Sequence, residues 1–185
     1  MQKIVLLRHA KVVFKEDGKI SAHQFTNFID EYDSSEIEPD FPSKSEVKRL
    51  LDKADILICS SLKRSIESLE VFHKTPYKID SIFDEAGLPY LNWNFLKLSP
   101  KIWALFFRLL WLVGYSHDCE SLKETKLRAK KAAKFLSELS KDDTTTVLIG
   151  HGVFNRFIAK ELTFMGWSQE KRLGTKNWDY GIFKL

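Results

Sequence analysis

The stretch Ile4-Val5-Leu6-Leu7-Arg8-His9-Ala10 decides how the rest of the chain is arranged. Its four consecutive apolar residues predict a strand buried on both faces, as strands of parallel sheets are. Arg8 and His9 follow where such a strand emerges into a loop, and ligands of open α/β sheets bind outside the carboxyl ends of the strands. Arginine offers a fork of donors to a phosphate or carboxylate, and histidine offers a nitrogen that can attack or carry a proton. A lone Arg-His pair is also typical of an ordinary surface loop, so the remaining motifs have to show whether this pair belongs to a functional site.

The composition is that of one globular domain. The chain has 185 residues, of which 44% are hydrophobic and 29% charged, so we expect a single domain over residues 1–185 that needs no disulfide or metal.

The net charge is +4, but the basic residues are scattered, which argues against nucleic-acid binding. Cys59 and Cys119 lack the spacing of a zinc site, and Cys59 is expected to be a small buried hydrophobe. No signal-peptide pattern opens the chain, so we expect a cytoplasmic protein.

A second strand carries polar residues at its end. Ile56–Cys59 predicts a buried strand, and Ser60-Ser61-Leu62-Lys63-Arg64 leads from it into a helix. A helix N-terminus suits an anion because free N–H groups converge there. Upstream, Ser43 and Glu46 match a capping box and predict a helix that ends at Lys53.

The segment between the first strand and that helix, residues 11–42, is polar and irregular. We expect it to be either a loop that walls a site or an ordinary surface connection. Within it, Phe28, Ile29 and Tyr32 could form a short amphipathic helix.

The middle of the chain contains an apolar insert. Tyr77–Ile82 predicts a third, shorter strand, and a loop over Asp84–Pro89 precedes the insert at about residues 90–118. Its most apolar part, residues 102–113, is too short and too interrupted by charges to cross a bilayer, which takes about 20 apolar residues. We expect a helix that packs into the core or lies over the site as a roof. A dimer face and contact with a membrane are the alternatives.

The C-terminal part continues the alternation of strands and helices. We predict an amphipathic helix over Ser121–Ser140, a buried strand over Thr146–Ile149, a helix over Val153–Phe164 and an edge strand over Tyr180–Phe183. Leu127 is assigned to the apolar stripe of the long helix. Strands that alternate with helices predict a three-layer α/β/α sandwich around a mostly parallel sheet.

Three predicted strands end in groups that suit one ligand. The first delivers Arg8 and His9, the second Ser60 and Arg64, and the strand before the last helix delivers His151. In a parallel sheet these groups gather at one edge, and cations crowded together repel unless an anion lies among them. The pattern predicts a phosphate pocket built without a metal, in which one histidine attacks phosphorus and the other groups, Ser60 included, hold its oxygens.

These motifs resemble those of the histidine phosphatase superfamily, the phosphoglycerate mutase-like group (branch 1). Leu7–Ala10 is similar to its Arg-His-Gly signature, and Ser60–Arg64 to its Ser-x-Leu-x-Arg signature. Ser68 falls where a threonine is common, Cys119–Ser121 where many members have Gly-Glu-Ser, and Ile149–Gly152 resembles the late His-Gly. The matches follow the family's order over nearly the whole chain, and they imply the phosphoglycerate mutase-like fold.

The resemblance also implies roles for these residues. His9 would be the nucleophile that becomes phosphorylated, and Arg8, Arg64 and His151 would hold the phosphoryl group. Glu85 matches the acid that protonates the leaving oxygen and then activates water. The function implied is a phosphatase for small phosphomonoesters, without cofactor or metal.

Some residues depart from the family pattern. Ala10 replaces the usual glycine, which is tolerable only where the backbone does not need a positive φ. Val12 and Lys11 differ from the sugar-phosphate branch, so we do not assign a sugar phosphate as substrate. Asp84 is a second candidate for the acid.

Three other functions stay open at this point. They are a phosphoglycerate mutase-type phosphotransferase, a protein phosphohistidine phosphatase and a catalytically silent binding protein. The sequence leaves the oligomeric state open as well, with a dimer as one alternative.

Overall fold

The computed structural model describes residues 1–15, 18–38 and 44–185. Within these ranges the strands are β1 (Lys3–Arg8), β2 (Ile20–Ser21), β3 (Ile56–Cys59), β4 (Lys78–Ile79), β5 (Lys97–Leu98), β6 (Thr145–Gly150), β7 (Ser168–Lys171) and β8 (Tyr180–Lys184). The helices are α1 (Ala22–Ser34), α2 (Lys44–Asp52), α3 (Lys63–Glu70), α4 (Pro100–Leu112), α5 (Leu122–Leu139) and α6 (Phe154–Phe164).

The central sheet is mostly parallel, as predicted. Its strands lie in the order β4-β3-β6-β1-β8-β7. The pairs β4–β3, β3–β6 and β6–β1 are parallel, and β8 is antiparallel to both β1 and β7. Leu7 pairs with Ile149, and Ile149 pairs with Cys59 on its other side. The carboxyl ends of β1, β3 and β6 therefore lie side by side, and this register brings the three polar motifs together.

Helices cover both faces of the sheet, which confirms the three-layer sandwich. Ile4 and Leu6 of β1 point towards α5 and α6, where they join one buried cluster. Val5 and Leu7 of the same strand join a second cluster with α2 and α3 on the opposite face. A strand with a helix layer on each side has no polar face, because its alternating side chains are all removed from water.

A third cluster lies beside the sandwich and joins two segments that are far apart in sequence. Phe25 of α1 packs on Phe107 of α4, with ring centroids 5.2 Å apart. The Trp103 indole donates a hydrogen bond of 2.8 Å to the Ile20 carbonyl oxygen, and β2 pairs with β5. We call the unit made of β2, α1, β5 and α4 the cap. The apolar insert is therefore part of a small unit that it builds with the segment after β1.

One topological prediction is wrong. Tyr180–Phe183 was expected to be an edge strand, but β8 lies inside the sheet between β1 and β7. The edge strand on this side of the sheet is β7, whose residues Ser168, Gln169, Glu170 and Lys171 are all exposed. An edge strand of polar residues protects the sheet from pairing with other chains, and it has no apolar alternation by which the sequence could have predicted it.

Smaller differences concern element boundaries. The predicted strand Tyr77–Ile82 is limited to β4, since Ser81–Phe83 turns into a 3₁₀ helix whose Ile82 N–H is accepted by the Asp80 carboxylate. The short helix expected around Phe28, Ile29 and Tyr32 is confirmed as α1, which is longer than expected at 13 residues and begins with a capping box of Ser21 and Gln24. Leu127, assigned to the apolar stripe of α5, is 54% exposed. The predicted helix from Ser43 corresponds to α2, while Ser43 itself lies outside the described residues.

Candidate active site

The loop after β1 is held in place from several directions. The His9 N–H donates to the Gly150 carbonyl oxygen at 3.0 Å, which ties it to the end of β6. The Ala10 N–H donates to Ser68 Oγ on α3 at 2.8 Å. From the C-terminal segment, the Asn177 side-chain amide donates to the His9 and Ala10 carbonyl oxygens at 3.0 Å. Ala10 does not adopt a positive φ, so the departure from glycine costs no backbone strain here.

The His9 ring presents its Nε2 atom to a guanidinium. Nδ1 lies 2.6 Å from the Ala10 carbonyl oxygen, which can only accept, so Nδ1 carries the hydrogen. Nε2 then keeps its lone pair and accepts a hydrogen bond of 3.2 Å from Arg64 Nε. Burial, followed by the charge of Arg64, lowers the pKa of His9 from 6.5 to about 3. His9 is therefore a neutral imidazole at physiological pH, which is the form that can act as a nucleophile.

A second buried imidazole lies beside it. The ring centroids of His9 and His151 are 5.1 Å apart. Burial, with a further contribution from Arg64, holds the pKa of His151 well below its ordinary value. Its Nε2 lies 2.6 Å from Ser60 Oγ, and its buried Nδ1 has no hydrogen-bond partner in the described part of the chain. Ser60 and His151 are both fully buried, and neither lines the cavity described below. The contact that the structure gives Ser60 Oγ on this side is therefore with the His151 ring.

The two arginines differ in what they contact. Arg64, only 5% exposed, donates from Nη1 to the Asp33 carboxylate at 2.5 Å and lies 5.3 Å from the centre of the Tyr32 ring. Arg8 donates from Nη1 to the Thr175 carbonyl oxygen, while its buried Nε has no partner within residues 1–15, 18–38 and 44–185. A Cβ atom at Gly152 would lie 3.3 Å from Arg8 Cζ, so the glycine after His151 leaves room for this guanidinium.

The two candidate acids have different surroundings. The Glu85 carboxylate accepts the N–H groups of Val153 and Phe154 at the start of α6, at 3.1 and 2.8 Å. Oε1 also accepts the Ala86 N–H at 3.0 Å, so Oε2 has the freer lone pairs. Asp84 uses both oxygens on Ser61, at 2.8 Å to its N–H and 2.7 Å to its hydroxyl. Asp84 therefore holds the approach to α3, whereas Glu85 is held at the start of α6, and both acids line the cavity described next.

Several of these groups line one cavity of about 430 Å³, among them Arg8, His9, Asp33, Arg64, Asp84 and Glu85. His151 and Ser60 are not part of its lining. The cap contributes Phe25, Ile29, Asp30 and Tyr32 from α1 but only Arg108 from α4. Of the two expectations for the helix of the insert, packing into the core is confirmed, because Trp103, Phe107 and Trp111 are buried. Helix α1 supplies the wall of the cavity, and α4 supports it from behind.

Four residues of this site were not predicted from the sequence. Asp33 pairs with Arg64, Arg108 donates to the Ala86 and Gly87 carbonyl oxygens at 2.9 and 3.2 Å, Asn177 holds residues 9 and 10, and Ser65 lies 3.3 Å from His151. No local pattern marks Asp33, Arg108 or Asn177, because each meets its partner only through tertiary contacts. Ser65 directly follows Arg64, so its place in the first turn of α3 was the available signal.

The fold is similar to several solved structures, some of which are phosphatases by name. An open reading frame of Mycobacterium tuberculosis aligns with a TM-score of 0.61 and 16% identity, covering 98% of this chain and 90% of its own. A putative alpha-ribazole-5'-P phosphatase from Escherichia coli gives 0.59 and 14%, covering 100% and 91%. A phosphoserine phosphatase from Entamoeba histolytica, solved with 3-phosphoglyceric acid, gives 0.59 and 20%, again covering 100% and 91%. No protein-family model matches the chain, and neither does any curated protein.

These likenesses establish the fold. The chain has the phosphoglycerate mutase-like fold that the resemblance of its motifs implied. At identities of 20% or less, the activity has to be argued from the geometry of the site.

The lowered pKa of His9 predicts a pH dependence of stability. Between pH 6.5 and about 3, the unfolded chain binds a proton at residue 9 that the folded protein does not bind. The free energy of unfolding therefore falls as the pH falls through this range, and does not depend on His9 above it. In His9→Ala the fall becomes shallower by about 1 kcal/mol per pH unit.

Urea unfolding at several pH values between 7 and 4 measures this slope. His23→Ala is the matched control, because His23 is an exposed histidine on α1, and its slope should equal that of the wild type. An unchanged slope in His9→Ala would mean that His9 is protonated in the folded protein.

Proposed function

We propose that this protein is a phosphatase that hydrolyses small phosphomonoesters without a metal, through a phosphohistidine on His9. The observation that carries the proposal is the neutral His9 ring, whose Nε2 faces Arg64 at 3.2 Å in a cavity that Arg8 also lines. A nucleophile between two guanidiniums suits a substrate that is itself an anion.

In the first step the Nε2 lone pair attacks phosphorus. A P–N bond forms, the P–O bond to the ester oxygen breaks, and the leaving oxygen takes a proton from Glu85. Arg64 is placed to hold an equatorial phosphoryl oxygen through the same side chain that contacts Nε2. Arg8 Nε is buried and unpartnered among the described residues, and it would find its acceptor in a second oxygen.

In the second step the same carboxylate acts as a base. Glu85 takes a proton from water, the water oxygen attacks phosphorus, and the P–N bond breaks with its electron pair returning to Nε2. The products are inorganic phosphate and an alcohol, and the enzyme is unchanged. One carboxyl group can serve both steps because it ends the first step deprotonated, which is the form that acts as the base in the second step.

The contacts of Glu85 suit this double role. Oε1 accepts two backbone N–H groups and Oε2 accepts one, so Oε2 is the atom that would carry the proton. The N-terminus of α6 holds the carboxyl group on the wall of the cavity. His151 would hold the phosphoryl group through Nδ1, which carries the ring hydrogen when Ser60 donates its hydroxyl proton to Nε2.

Two of the similar structures are phosphatases by name, one for alpha-ribazole-5'-P and one for phosphoserine. Both names describe phosphomonoesters of modest size, and a cavity of about 430 Å³ is in the range of small-molecule sites. We infer the same reaction class for this chain.

The test is turnover of p-nitrophenyl phosphate in the presence of EDTA, beside Glu85→Gln. We expect chelator-resistant turnover in the wild type. In Glu85→Gln the loss should be small for p-nitrophenyl phosphate, whose leaving group needs little protonation, and about 10²-fold or more for an alkyl phosphate. The amide oxygen of glutamine, in the place of Oε1, can still accept the Ala86 and Phe154 N–H groups, and only the Val153 N–H loses its acceptor, so this variant is expected to fold.

Equal losses for both esters would remove Glu85 from the role of acid. Loss of all turnover on chelation would contradict the metal-free reaction. Absence of turnover for every phosphomonoester tested would favour the silent binding protein.

Asp33 gives a prediction for phosphate affinity. Its carboxylate occupies Arg64 Nη1, the kind of donor that a phosphoryl oxygen would use, so a bound phosphate competes with an internal anion. Asp33→Asn should bind inorganic phosphate about tenfold more tightly, which is about 1.4 kcal/mol. Competitive inhibition of turnover by phosphate measures the change.

Asp30→Asn is the control, because Asp30 lies one turn earlier on α1 and lines the same cavity. It should change phosphate inhibition less than Asp33→Asn does. Weaker phosphate binding in Asp33→Asn would instead show that Asp33 holds Arg64 in its working position.

A further inference from the structure

The peptide that leads into Glu85 is held by an arginine of α5. Arg128 donates from Nη1 to the Asp84 carbonyl oxygen at 2.8 Å and to the Ile82 carbonyl oxygen at 2.9 Å. The Asp84 carbonyl belongs to the peptide bond that joins Asp84 to Glu85, and a peptide bond is planar and rigid. Its hydrogen bond to Arg128 therefore fixes the direction in which the chain enters Glu85.

The same guanidinium packs on the residue that binds the Glu85 carboxylate. Arg128 Cζ lies 3.8 Å from the centre of the Phe154 ring, a distance at which a guanidinium and an aromatic face attract each other. Phe154 is fully buried at the start of α6, and its N–H donates to Glu85 Oε1 at 2.8 Å. Arg128 thus contacts the chain segment before Glu85 and the first residue of the helix that holds its carboxyl group.

Arg128 is itself held by Glu120. Its Nε donates to Oε2 of that carboxylate at 3.0 Å, and its Nη2 donates to Oε1. This bidentate pairing fixes the plane of the guanidinium as well as its position. The Trp111 indole of α4 donates to the Glu120 carbonyl oxygen at 2.8 Å, which ties the pair to the cap. The orientation of Arg128 is therefore set by the fold.

The contacts of Arg128 exceed what neutralising Glu120 requires. A lysine ammonium could pair with Glu120, but it is a point charge without the planar fork of a guanidinium. The two additional hydrogen bonds go to the Ile82 and Asp84 carbonyl oxygens, in the segment that runs directly into Glu85. The choice of arginine is thus explained by the direction that it gives to this segment.

We propose that Arg128 is a positioning residue for Glu85, which it holds where the carboxyl group can reach the ester oxygen of a bound phosphomonoester. The inference rests on the proposed function, because it assigns Arg128 a role in the proton transfer by Glu85. Arg128 is absent from the cavity lining, so it acts through Glu85 and not on the phosphate. A displacement of about 1 Å in a reacting group can cost about 10²-fold in rate.

The test compares two esters in Arg128→Met. For an alkyl phosphate kcat should fall at least about tenfold, because the alkoxide leaves only with a proton, and KM should stay within about twofold of the wild type. For p-nitrophenyl phosphate the loss should be about threefold or less, because its leaving group needs little protonation. A variant that is only less stable would lose both activities in the same proportion.

A double variant shows whether the effect passes through Glu85. Residues that act as one unit give losses that do not add. Adding Arg128→Met to Glu85→Gln should therefore lower alkyl phosphate turnover by no more than about twofold. Lys130→Met is the matched control, because it removes a positive charge from an exposed position on the same helix. It should match the wild type with both esters.

A second variant covers the case in which Arg128→Met does not fold, since that change removes the donor from two carbonyl oxygens and from Glu120. Arg128→Lys keeps the charge beside Glu120 but cannot make all four hydrogen bonds. It should show the same selective loss for the alkyl phosphate, about threefold or more. Urea unfolding of both variants checks the fold.

The outcomes separate this proposal from the proposed function. If Glu85→Gln loses alkyl phosphate turnover selectively, then equal losses for the two esters in the Arg128 variants, additive losses in the double variant, or wild-type activity in Arg128→Lys would each overturn the role of Arg128 alone. If Glu85→Gln loses both esters equally, the role of Glu85 as the acid fails, and the role of Arg128 fails with it.

Discussion

Replacement of His9 by alanine is expected to lower kcat/KM for p-nitrophenyl phosphate by at least about 10⁴-fold. Losses of this order follow when the atom that forms the covalent intermediate is removed. His9 Nε2 is the neutral nitrogen that faces Arg64 inside the cavity, and His151 Nε2 is already in contact with Ser60. No second histidine is therefore placed to take over the attack among the described residues. Initial rates with and without EDTA measure the loss.

Two comparisons separate loss of the nucleophile from loss of the fold. Because His9 is neutral and buried, its removal leaves no unpaired charge, and the unfolding transition at pH 7 should remain cooperative. The wild type quenched in alkali during turnover should carry phosphate on residue 9, detected by mass spectrometry, and His9→Ala should carry none. Turnover above about 1% of the wild type in a pure His9→Ala preparation would exclude the phosphohistidine route.

Replacement of Arg64 by glutamine is expected to lower kcat/KM by about 10²- to 10³-fold, as removal of a positioned charge-stabilising donor does. Arg64 donates hydrogen bonds to His9 Nε2 and to Asp33, and its side chain is almost completely removed from water. Most of the loss should be in kcat, because the phosphoryl oxygens gain charge on the way to the transition state.

The pH profile adds a readout that a purely structural role would not change. Burial is the main cause of the low pKa of His9 and the charge of Arg64 is the second. Without that charge the pKa of His9 rises, so the acid limb of kcat/KM should lie at higher pH in Arg64→Gln than in the wild type. Arg156→Gln, an exposed arginine on α6, should leave both the rate and the profile unchanged. An acid limb at the wild-type pH would mean that His9 does not control it.

The α1 helix gives the site an internal anion, which the sequence motifs of the site do not suggest. Asp33 supplies Arg64 with an anion from the protein itself, and the phosphate that we propose would compete with it for the guanidinium. The cap that carries α1 also carries α4, through the packing of Phe25 on Phe107.

The sequence by itself determined the elements whose signal is local. Ile4–Leu7 and Ile56–Cys59 are continuous apolar runs, and such runs become strands buried on both faces because no alternative removes all their side chains from water. The polar residues directly after them, Arg8, His9 and Arg64, were then placed by the rule that parallel strands share one edge. This is why the mostly parallel sandwich and the gathering of both histidines could be predicted.

Only the tertiary structure decided which hydrogen-bond and charge partners these residues have. Arg64 and Asp33 are 31 positions apart, and Glu85 and Phe154 are 69 apart, so no spacing along the chain relates them. β7 was missed for a similar reason, since its polar residues form a strand only because β8 offers them an edge. The periodicity of apolar residues in the sequence indicates which side chains are buried. The partner of a buried charge depends instead on which distant segment the fold places beside it.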